Sequence, residues 1–322
     1  MDEGPGENPV AATTGDGAAP GRPVVVGADG SESALRAVRW AARAARSTGR
    51  GLLVVLAYGG VDPSLVADAT IWRRYQQEML EQAREQARRA AETARAEAPE
   101  LHVTEELVDG PAAPALLERA GDGLLVVGEQ GVGGLGGALV GSVASTVAAH
   151  AAGPVVVVRG EVSTEPDAPV VVGVDGSPSS AAAIDFAAAV ADAEGCPMIA
   201  VHTWWDPLVD TVPQEFLDLD AITADERRVL AEQLAGRSDI HPDLEVSTVV
   251  ARSRPARSLL EHARGARLLV VGTRGRGGFT GLLLGSVSRA MVHRAPCPVA
   301  VVPPPGARAQ AHTGGRAHAA AT

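Results

Sequence analysis

The sequence predicts an α/β protein built from two tandem, doubly wound parallel sheets, and three observations support this prediction. Short runs rich in Val and Leu alternate with Ala-rich helical patterns, which is typical of βαβ units. Most of the chain matches itself after a shift of about 144 residues, which indicates a duplicated domain. The length of 322 residues also suits two domains, at roughly 100 to 200 residues for each.

The first repeat is predicted at residues 22–159 and the second at 169–303, with a linker at 160–168. The ends, 1–21 and 304–322, are rich in Gly, Pro and Ala and have no apolar period, which predicts disordered tails. Each repeat should contain five strands, because five apolar runs recur in the same order. The predicted strands are 24–27, 52–57, 101–108, 124–128 and 154–158, then 170–173, 198–203, 244–250, 268–272 and 298–302.

The helix after the first strand of each repeat has clear boundaries. Ser31 and Ser177 are placed as N-caps, and Pro178 stands at the first helical position, where a missing N–H costs nothing. Gly49 and Gly195 are expected to end the same two helices. The second connection of each repeat is predicted to be helical, at 70–97 and at 212–236.

Composition excludes several classes of function. A net charge of −11 argues against binding to nucleic acid, which requires a surplus of basic residues. The chain contains no lysine, so phosphate-binding, Schiff-base and general-base lysines are excluded. There is no signal peptide, no apolar run long enough to span a membrane and no metal-ligand spacing of His or Cys. We therefore expect a cytoplasmic protein without a membrane partner, a resident metal or a catalytic His motif.

Each repeat carries the same glycine pattern after its fourth strand. The strand ends in Gly-x-x-Gly, nine residues follow, and Gly-Ser opens a helix. Glycines let the backbone approach a ligand closely, and a helix that begins there offers free N–H groups and its positive dipole end to an anion. Such a loop can hold phosphates without lysine. The pattern comprises Gly128, Gly131, Gly141 and Ser142, and again Gly272, Gly275, Gly285 and Ser286.

An aspartate follows the first strand of each repeat, as Asp29 and Asp175. In a doubly wound sheet the first and fourth strands flank the point where strand order reverses, and ligands bind outside their carboxyl ends. Each aspartate should therefore share a crevice with a glycine loop, where it can bind ribose hydroxyls or help to hold Mg²⁺. Glycine and aspartate after a strand are also common in simple turns. The repetition of the full spacing favours a binding site.

These motifs resemble the ATP-binding signature of universal stress proteins, in a tandem-domain form, and the resemblance runs from Arg22 to Pro303. It implies a Rossmann-like fold of the adenine nucleotide alpha hydrolase type, with five strands in the order 3-2-1-4-5. It also implies ATP or AMP between the first and fourth strands, dimerisation through the fifth strand, and a regulatory role in stress with at most slow ATP hydrolysis. The segments that carry it include "VVGVDGS", "RPARSLLEHA" and "APCPVAVV".

The resemblance also implies ligand contacts for individual residues. Adenine and ribose would meet Asp29 and Ala57 in the first repeat, and Asp175 and Thr203 in the second. The phosphates would meet the signature glycines and serines. They would also meet the residues that follow Gly-Ser, which are Val143, Val287 and Ser288.

Three differences between the two repeats at or beside this signature concern groups that could bind phosphate. The second has Arg274, Arg276 and Ser288 where the first has Gln130, Val132 and Ala144. A charge-assisted hydrogen bond contributes about 1.5 to 3 kcal/mol, against about 1 for a neutral one. We therefore expect the second site to bind ATP more tightly, unless its arginines point to solvent.

The fifth strands, "PVVVV" and "PVAVV", are apolar on both faces and end their sheets, so they are expected to pair with each other as an intramolecular pseudo-dimer. Association of two whole chains into a homodimer is a further alternative. The function predicted is a nucleotide-dependent regulator that acts on an unidentified protein partner. The alternatives are an adenylyl- or phosphoryl-transfer enzyme of the same fold and an interaction scaffold without nucleotide.

Overall fold

The computed structural model describes residues 21–59, 68–132, 140–205, 218–237, 239–276 and 283–307. The predicted tails therefore lie almost wholly outside the described residues, as do the centres of both glycine loops.

The first repeat contains β1 (Val24–Ala28), α1 (Glu32–Ser47), β2 (Leu52–Tyr58), α2 (Ala69–Glu97), β3 (Val103–Asp109), α3 (Ala112–Ala120), β4 (Leu125–Gly128), α4 (Ser142–His150) and β5 (Val155–Val158). The second contains β6 (Val170–Val174), α5 (Pro178–Glu194), β7 (Met198–Trp204), α6 (Leu219–Leu234), β8 (Val246–Arg252), α7 (Pro255–His262), β9 (Leu268–Gly272), α8 (Ser286–Arg294) and β10 (Val299–Val302).

All ten strands form one continuous sheet in the order β3-β2-β1-β4-β5-β10-β9-β6-β7-β8. Within each repeat the strands are parallel and follow the predicted order 3-2-1-4-5. The repeats join through β5 and β10, which pair antiparallel with Val156 opposite Ala300. The expected intramolecular pairing of the fifth strands is therefore present. Since those two edges cover each other, the sheet ends at β3 and β8.

The sheet is buried on both faces, which explains its unbroken Val runs. Helices α1, α2, α5 and α6 cover one face in a single apolar cluster that spans both repeats. Helices α3, α4, α7 and α8 cover the other face. In β5, all four valines are at most 1% exposed. The central strands are therefore core elements of both repeats together.

The predicted helix boundaries agree with the structure. The Ser31 hydroxyl accepts a hydrogen bond from the Ala34 N–H at 3.1 Å, and Ser177 caps α5 from the matching position. Pro178 opens α5, and Gly195 ends it in a left-handed conformation at φ 62°. The helix predicted at 212–236 is found as α6, while 212–217 lies outside the described residues. Strand boundaries differ from the predictions by one or two residues.

Candidate functional site

The carboxyl ends of β1 and β4 meet where the strand order reverses, and Asp29 lies at this point. One carboxylate oxygen of Asp29 accepts from the Ser31 N–H at 3.0 Å, and the other accepts from the Val132 N–H at 2.9 Å. The second bond reaches across the crevice into the first glycine loop, residues 128–142. A carboxylate has about four lone-pair positions, so Asp29 keeps acceptor capacity for a ligand.

Close packing accounts for the glycines of this loop. A Cβ on Gly131 would lie 2.4 Å from Oδ2 of Asp29, and one on Gly128 would lie 2.6 Å from Oγ of Ser33. Both distances are too short for a side chain. The loop backbone can therefore lie directly against the turn after β1 only because these positions are glycine.

Helix α4 points its N-terminus at the same crevice. The Gly141 N–H donates to the Glu129 carbonyl at 2.7 Å, which ties the start of the helix to the loop. The N-cap, Gly141, provides no side-chain hydrogen bond. The N–H groups of Ser142, Val143 and Ala144 belong to the first turn and have no partner within the helix. This end of α4 can accept an anion.

A cavity of about 440 Å³ lies between these elements. All the residues predicted as ligand contacts in the first repeat line it, namely Asp29, Ala57, Gly128, Gly131, Gly141, Ser142 and Val143. The structure thus brings together residues from four separate segments of the chain. The apolar part of the lining comes from Val55, Ala112, Leu116 and Val127. The cavity therefore has an apolar side and a side made of backbone N–H groups and one carboxylate.

The second repeat is built in the same way around its own glycine loop, residues 272–286. Asp175 accepts from the Ser177 N–H at 3.0 Å and from the Arg276 N–H at 3.1 Å. The Gly285 N–H donates to the Thr273 carbonyl at 2.8 Å. A Cβ on Gly275 would lie 2.3 Å from Oδ2 of Asp175. The other predicted residues occupy matching places, with Thr203 near the end of β7, Gly272 at the end of β9, and Ser286 and Val287 in the first turn of α8.

Of the three side chains that distinguish the second loop from the first, two are exposed and one is buried. Arg274 and Arg276 are both exposed, and the Arg276 guanidinium lies against Gly176, 2.1 Å from where a Cβ would stand. Ser288 is 4% exposed, and its hydroxyl donates to the Gly272 carbonyl at 2.5 Å. In this arrangement the hydroxyl proton bonds the end of β9, and the contact of Ser288 with a phosphate stays a prediction. A serine hydroxyl in the first turn of a helix can donate its hydrogen bond either to a carbonyl at the end of a neighbouring strand or to a ligand.

The sequence analysis did not identify His202, which is 4% exposed and lies on β7. Its Nδ1 lies 2.7 Å from the carbonyl of Val174, the residue before Asp175, and its Nε2 lies 2.8 Å from Oε2 of Glu226 on α6. The imidazole thus connects α6 to the strand that carries Asp175. The sequence offers one signal for His202, which is that a histidine replaces Leu56, the residue at the matching position of the first repeat.

Replacing His202 by leucine, the residue of the first repeat, should lower the free energy of unfolding by about 1 to 3 kcal/mol. The Val174 carbonyl, which is buried, and the Glu226 carboxylate would both lose the imidazole as a hydrogen-bond partner. Urea denaturation measures the change. Glu232→Gln on the same helix is the control, since its ion pair with Arg228 is exposed and its loss should cost under about 0.5 kcal/mol. Equal effects of the two substitutions would contradict this role of His202.

The two tryptophans after the second strand have different environments. Trp204 is 8% exposed and its Nε1 has no hydrogen-bond partner, while Arg252 lies 5.7 Å from its ring centroid. Because side chains alternate along β7, Trp204 shares the α6 face with His202 and is turned away from the crevice. Trp205 is 41% exposed, with the Arg254 guanidinium 4.9 Å from its ring centroid.

Two further properties concern only the residues that the structure describes. Within the described ranges, no three His, Cys, Asp or Glu side chains converge as metal ligands would. No helix in those ranges is long and apolar enough to cross a membrane. Among the described carboxylates, Asp29 and Asp175 lie at the two crevices, so either could be a ligand of a magnesium ion that is also bound by phosphates and water.

Comparisons with known proteins agree with this architecture. The sequence profile of the universal stress protein family matches residues 21–159 and 168–303. A universal stress protein of Mycobacterium tuberculosis is 38% identical over 304 residues, covering 86% of this chain and 94% of the relative. A second from the same organism is 39% identical over 285 residues, covering 86% and 96%. The crystal structure of a universal stress protein from Archaeoglobus fulgidus superposes with a TM-score of 0.66 at 20% identity, over 87% of this chain and 97% of that one, which shows the shared fold. The chain belongs to the universal stress protein family and consists of two tandem domains of that family.

Proposed function

We propose that this protein binds ATP at its two glycine loops and acts as a nucleotide-dependent regulator with little or no catalysis. The observation that carries the proposal is the cavity of about 440 Å³, which is lined by every residue predicted for the first site. Its volume lies within the range of about 300 to 1,000 Å³ that is usual for small-molecule sites.

The two sides of the cavity suit the two ends of a nucleotide. The adenine ring would pack on Val55, Ala57 and Leu116, and the ribose hydroxyls would donate to the free acceptor positions of Asp29. The phosphates would accept hydrogen bonds from the loop backbone and from the first turn of α4. Bound Mg²⁺ would neutralise part of the phosphate charge. Every protein contact with the phosphates could come from backbone groups and serine, which suits a chain without lysine.

A regulatory role is favoured over group transfer because the described residues that line the cavity include no histidine or cysteine. The titratable side chain among them is Asp29, which holds two backbone N–H groups and is assigned here to the ribose hydroxyls. An enzyme would need a further residue to activate an acceptor or a water molecule. A release of ADP or pyrophosphate that depends on a second substrate would instead support a transferase.

The second site is proposed to bind ATP more tightly than the first. Arg276 lies at the rim of the crevice across Gly176, and its guanidinium makes no hydrogen bond or ion pair with the described residues. Its guanidinium is therefore available to a phosphate, whereas the first repeat has Val132 at this position. We assign the difference in affinity to the Arg276 guanidinium, since the Ser288 hydroxyl donates to the Gly272 carbonyl.

Calorimetric titration of the purified, nucleotide-free chain with ATP and Mg²⁺ tests the proposal. We expect two binding events per chain, with a difference in affinity that disappears in Arg276→Val, the residue of the first repeat. Arg294→Val is the control, since Arg294 lies at the opposite end of α8 from Ser286. Binding that Arg276→Val leaves unchanged would contradict the ranking. No binding at all would contradict the proposed function and favour a scaffold.

A further inference from the structure

The first glycine loop is linked to the second repeat through the side chain of Arg159. Arg159, the residue after β5, is 8% exposed, and its Nη1 donates to the carbonyls of Val292 at 3.0 Å and Met291 at 3.4 Å. Its Nε lies 3.6 Å from Oε2 of Glu129. Glu129 belongs to the first loop, and Met291 and Val292 lie in the last turns of α8. One guanidinium thus contacts a loop of one repeat and a helix of the other.

Glu129 is well placed to sense the state of the first loop. Its N–H donates to the Val158 carbonyl at 3.1 Å, and its carbonyl accepts from the Gly141 N–H at 2.7 Å. Its backbone therefore links the end of β5 to the start of α4. A ligand that draws the loop and α4 together would move Glu129, and with it the carboxylate that faces Arg159.

Helix α8 extends this link to the second site. It is nine residues long, begins at Ser286 in the second glycine loop and ends beside Arg159. The carbonyls in its last turn have no partner within the helix, and a cation there also interacts favourably with the helix dipole. A change at Arg159 would therefore act on the helix whose other end would meet the phosphates of the second site.

The contact has no counterpart on the other side of the interface between the repeats. Thr273 and Pro303 occupy the places of Glu129 and Arg159 in the second repeat. Instead of an ion pair, a void of about 60 Å³ lies there between Thr273, Pro303 and His150. A link of this kind between a glycine loop and the helix of the opposite repeat is thus present once, between the first loop and α8.

Burial makes this arginine sensitive to its surroundings. Desolvation lowers the pKa of the Arg159 guanidinium, while the Glu129 carboxylate opposes that shift. Nε has no hydrogen bond in the structure, and the nearest carboxylate oxygen is only slightly beyond hydrogen-bond distance. A buried donor without a partner costs free energy, so a small movement of Glu129 towards Arg159 would be favourable.

We propose that the Glu129–Arg159 ion pair couples the two sites, so that a nucleotide in the first glycine loop stabilises α8 and the second loop. The inference rests on the proposed function. Arg159 is a positioning residue, since it touches neither cavity but acts through Glu129 and α8. Because coupling between sites is reciprocal, a nucleotide in the second site would equally favour binding in the first.

Hydrogen exchange read by mass spectrometry tests the coupling in the full chain carrying Asp175→Ala, so that ATP acts through the first site. We expect ATP with Mg²⁺ to slow exchange at residues 140–150 and also, by about fivefold, at residues 285–295. Adding Arg159→Met should remove the second effect and keep the first. Glu129→Gln should likewise remove the effect at residues 285–295 and keep the effect at 140–150, and it does not remove a buried side chain. If the Arg159 variant does not fold, Glu129→Gln provides the test of the coupling.

Arg36→Gln is the matched control. Arg36 pairs with the other oxygen of the same carboxylate at 2.9 Å, but it lies on α1, away from α8, and is more exposed. Its loss should leave the response of residues 285–295 intact. Slower exchange at 140–150 with no change at 285–295 would overturn the coupling alone. No change at either segment would overturn the proposed function, and the coupling with it.

Discussion

Replacing Val156 by aspartate is expected to lower the free energy of unfolding by more than about 4 kcal/mol, because it buries an unpaired charge at the centre of the sheet. Val156 is 0% exposed and lies opposite Ala300 in the pairing of β5 with β10. Both apolar clusters cross this seam, so its loss removes burial from both repeats. Guanidinium denaturation followed by circular dichroism measures the change.

The thiol of Cys297 provides a second readout of the same seam. Burial raises the pKa of this thiol to about 12, so it should not react with Ellman's reagent at pH 7 in the native protein. In Val156→Asp it should react readily. Val246→Asp is the control, since Val246 is 42% exposed on the edge strand β8 and should cost under about 0.5 kcal/mol. An unreactive Cys297 and equal stabilities of the two variants would contradict the continuous sheet.

Replacing Asp29 by alanine is expected to weaken ATP binding at the first site by about 10- to 100-fold. The carboxylate holds the Val132 N–H at 2.9 Å and the Ser31 N–H at 3.0 Å, and each charge-assisted bond contributes about 1.5 to 3 kcal/mol. Without it the loop would lose its tie to β1, and the ribose would lose its acceptor. Titration with ATP in the Asp175→Ala background measures the first site separately.

Asp122→Ala is the control for this substitution. It removes an acidic residue of the same repeat, whose carboxylate pairs with Arg22 on the surface and is 75% exposed. It should change the affinity for ATP by less than about twofold. Asp29→Ala and Asp175→Ala, measured separately, also test the ranking of the two sites. Equal losses would contradict the tighter second site, and unchanged affinity in Asp29→Ala would contradict the role of the carboxylate.

The fold could be predicted from the sequence because its signals are local and occur twice. The Val runs of β5 and β10 indicated strands buried on both faces, and an edge of that kind requires a partner. Ser31, Ser177 and Pro178 marked helix starts through chemistry that acts within one turn. The candidate cavity followed from a general rule about the carboxyl ends of parallel strands, which placed Asp29 beside the first glycine loop.

Contacts between distant segments could not be predicted in the same way. Arg159 and Glu129 are 30 positions apart in the sequence, and Arg159 also reaches α8 in the other repeat. The pair of His202 with Glu226 likewise depends on how α6 packs on β7. Neither pair has a local motif. The position of Ser288 in the motif indicated a polar partner for its hydroxyl, but sequence spacing alone could not show that the hydroxyl donates to the Gly272 carbonyl.

The central claim is that the chain carries two nucleotide sites, and counting bound ATP tests it most directly. The purified protein would be dialysed against radiolabelled ATP and Mg²⁺ at saturating concentration, and the label retained per chain would be measured. The account predicts close to two ATP molecules per chain, and close to one in either Asp29→Ala or Asp175→Ala at a concentration between the two affinities. A wild-type chain that retains no ATP would contradict it.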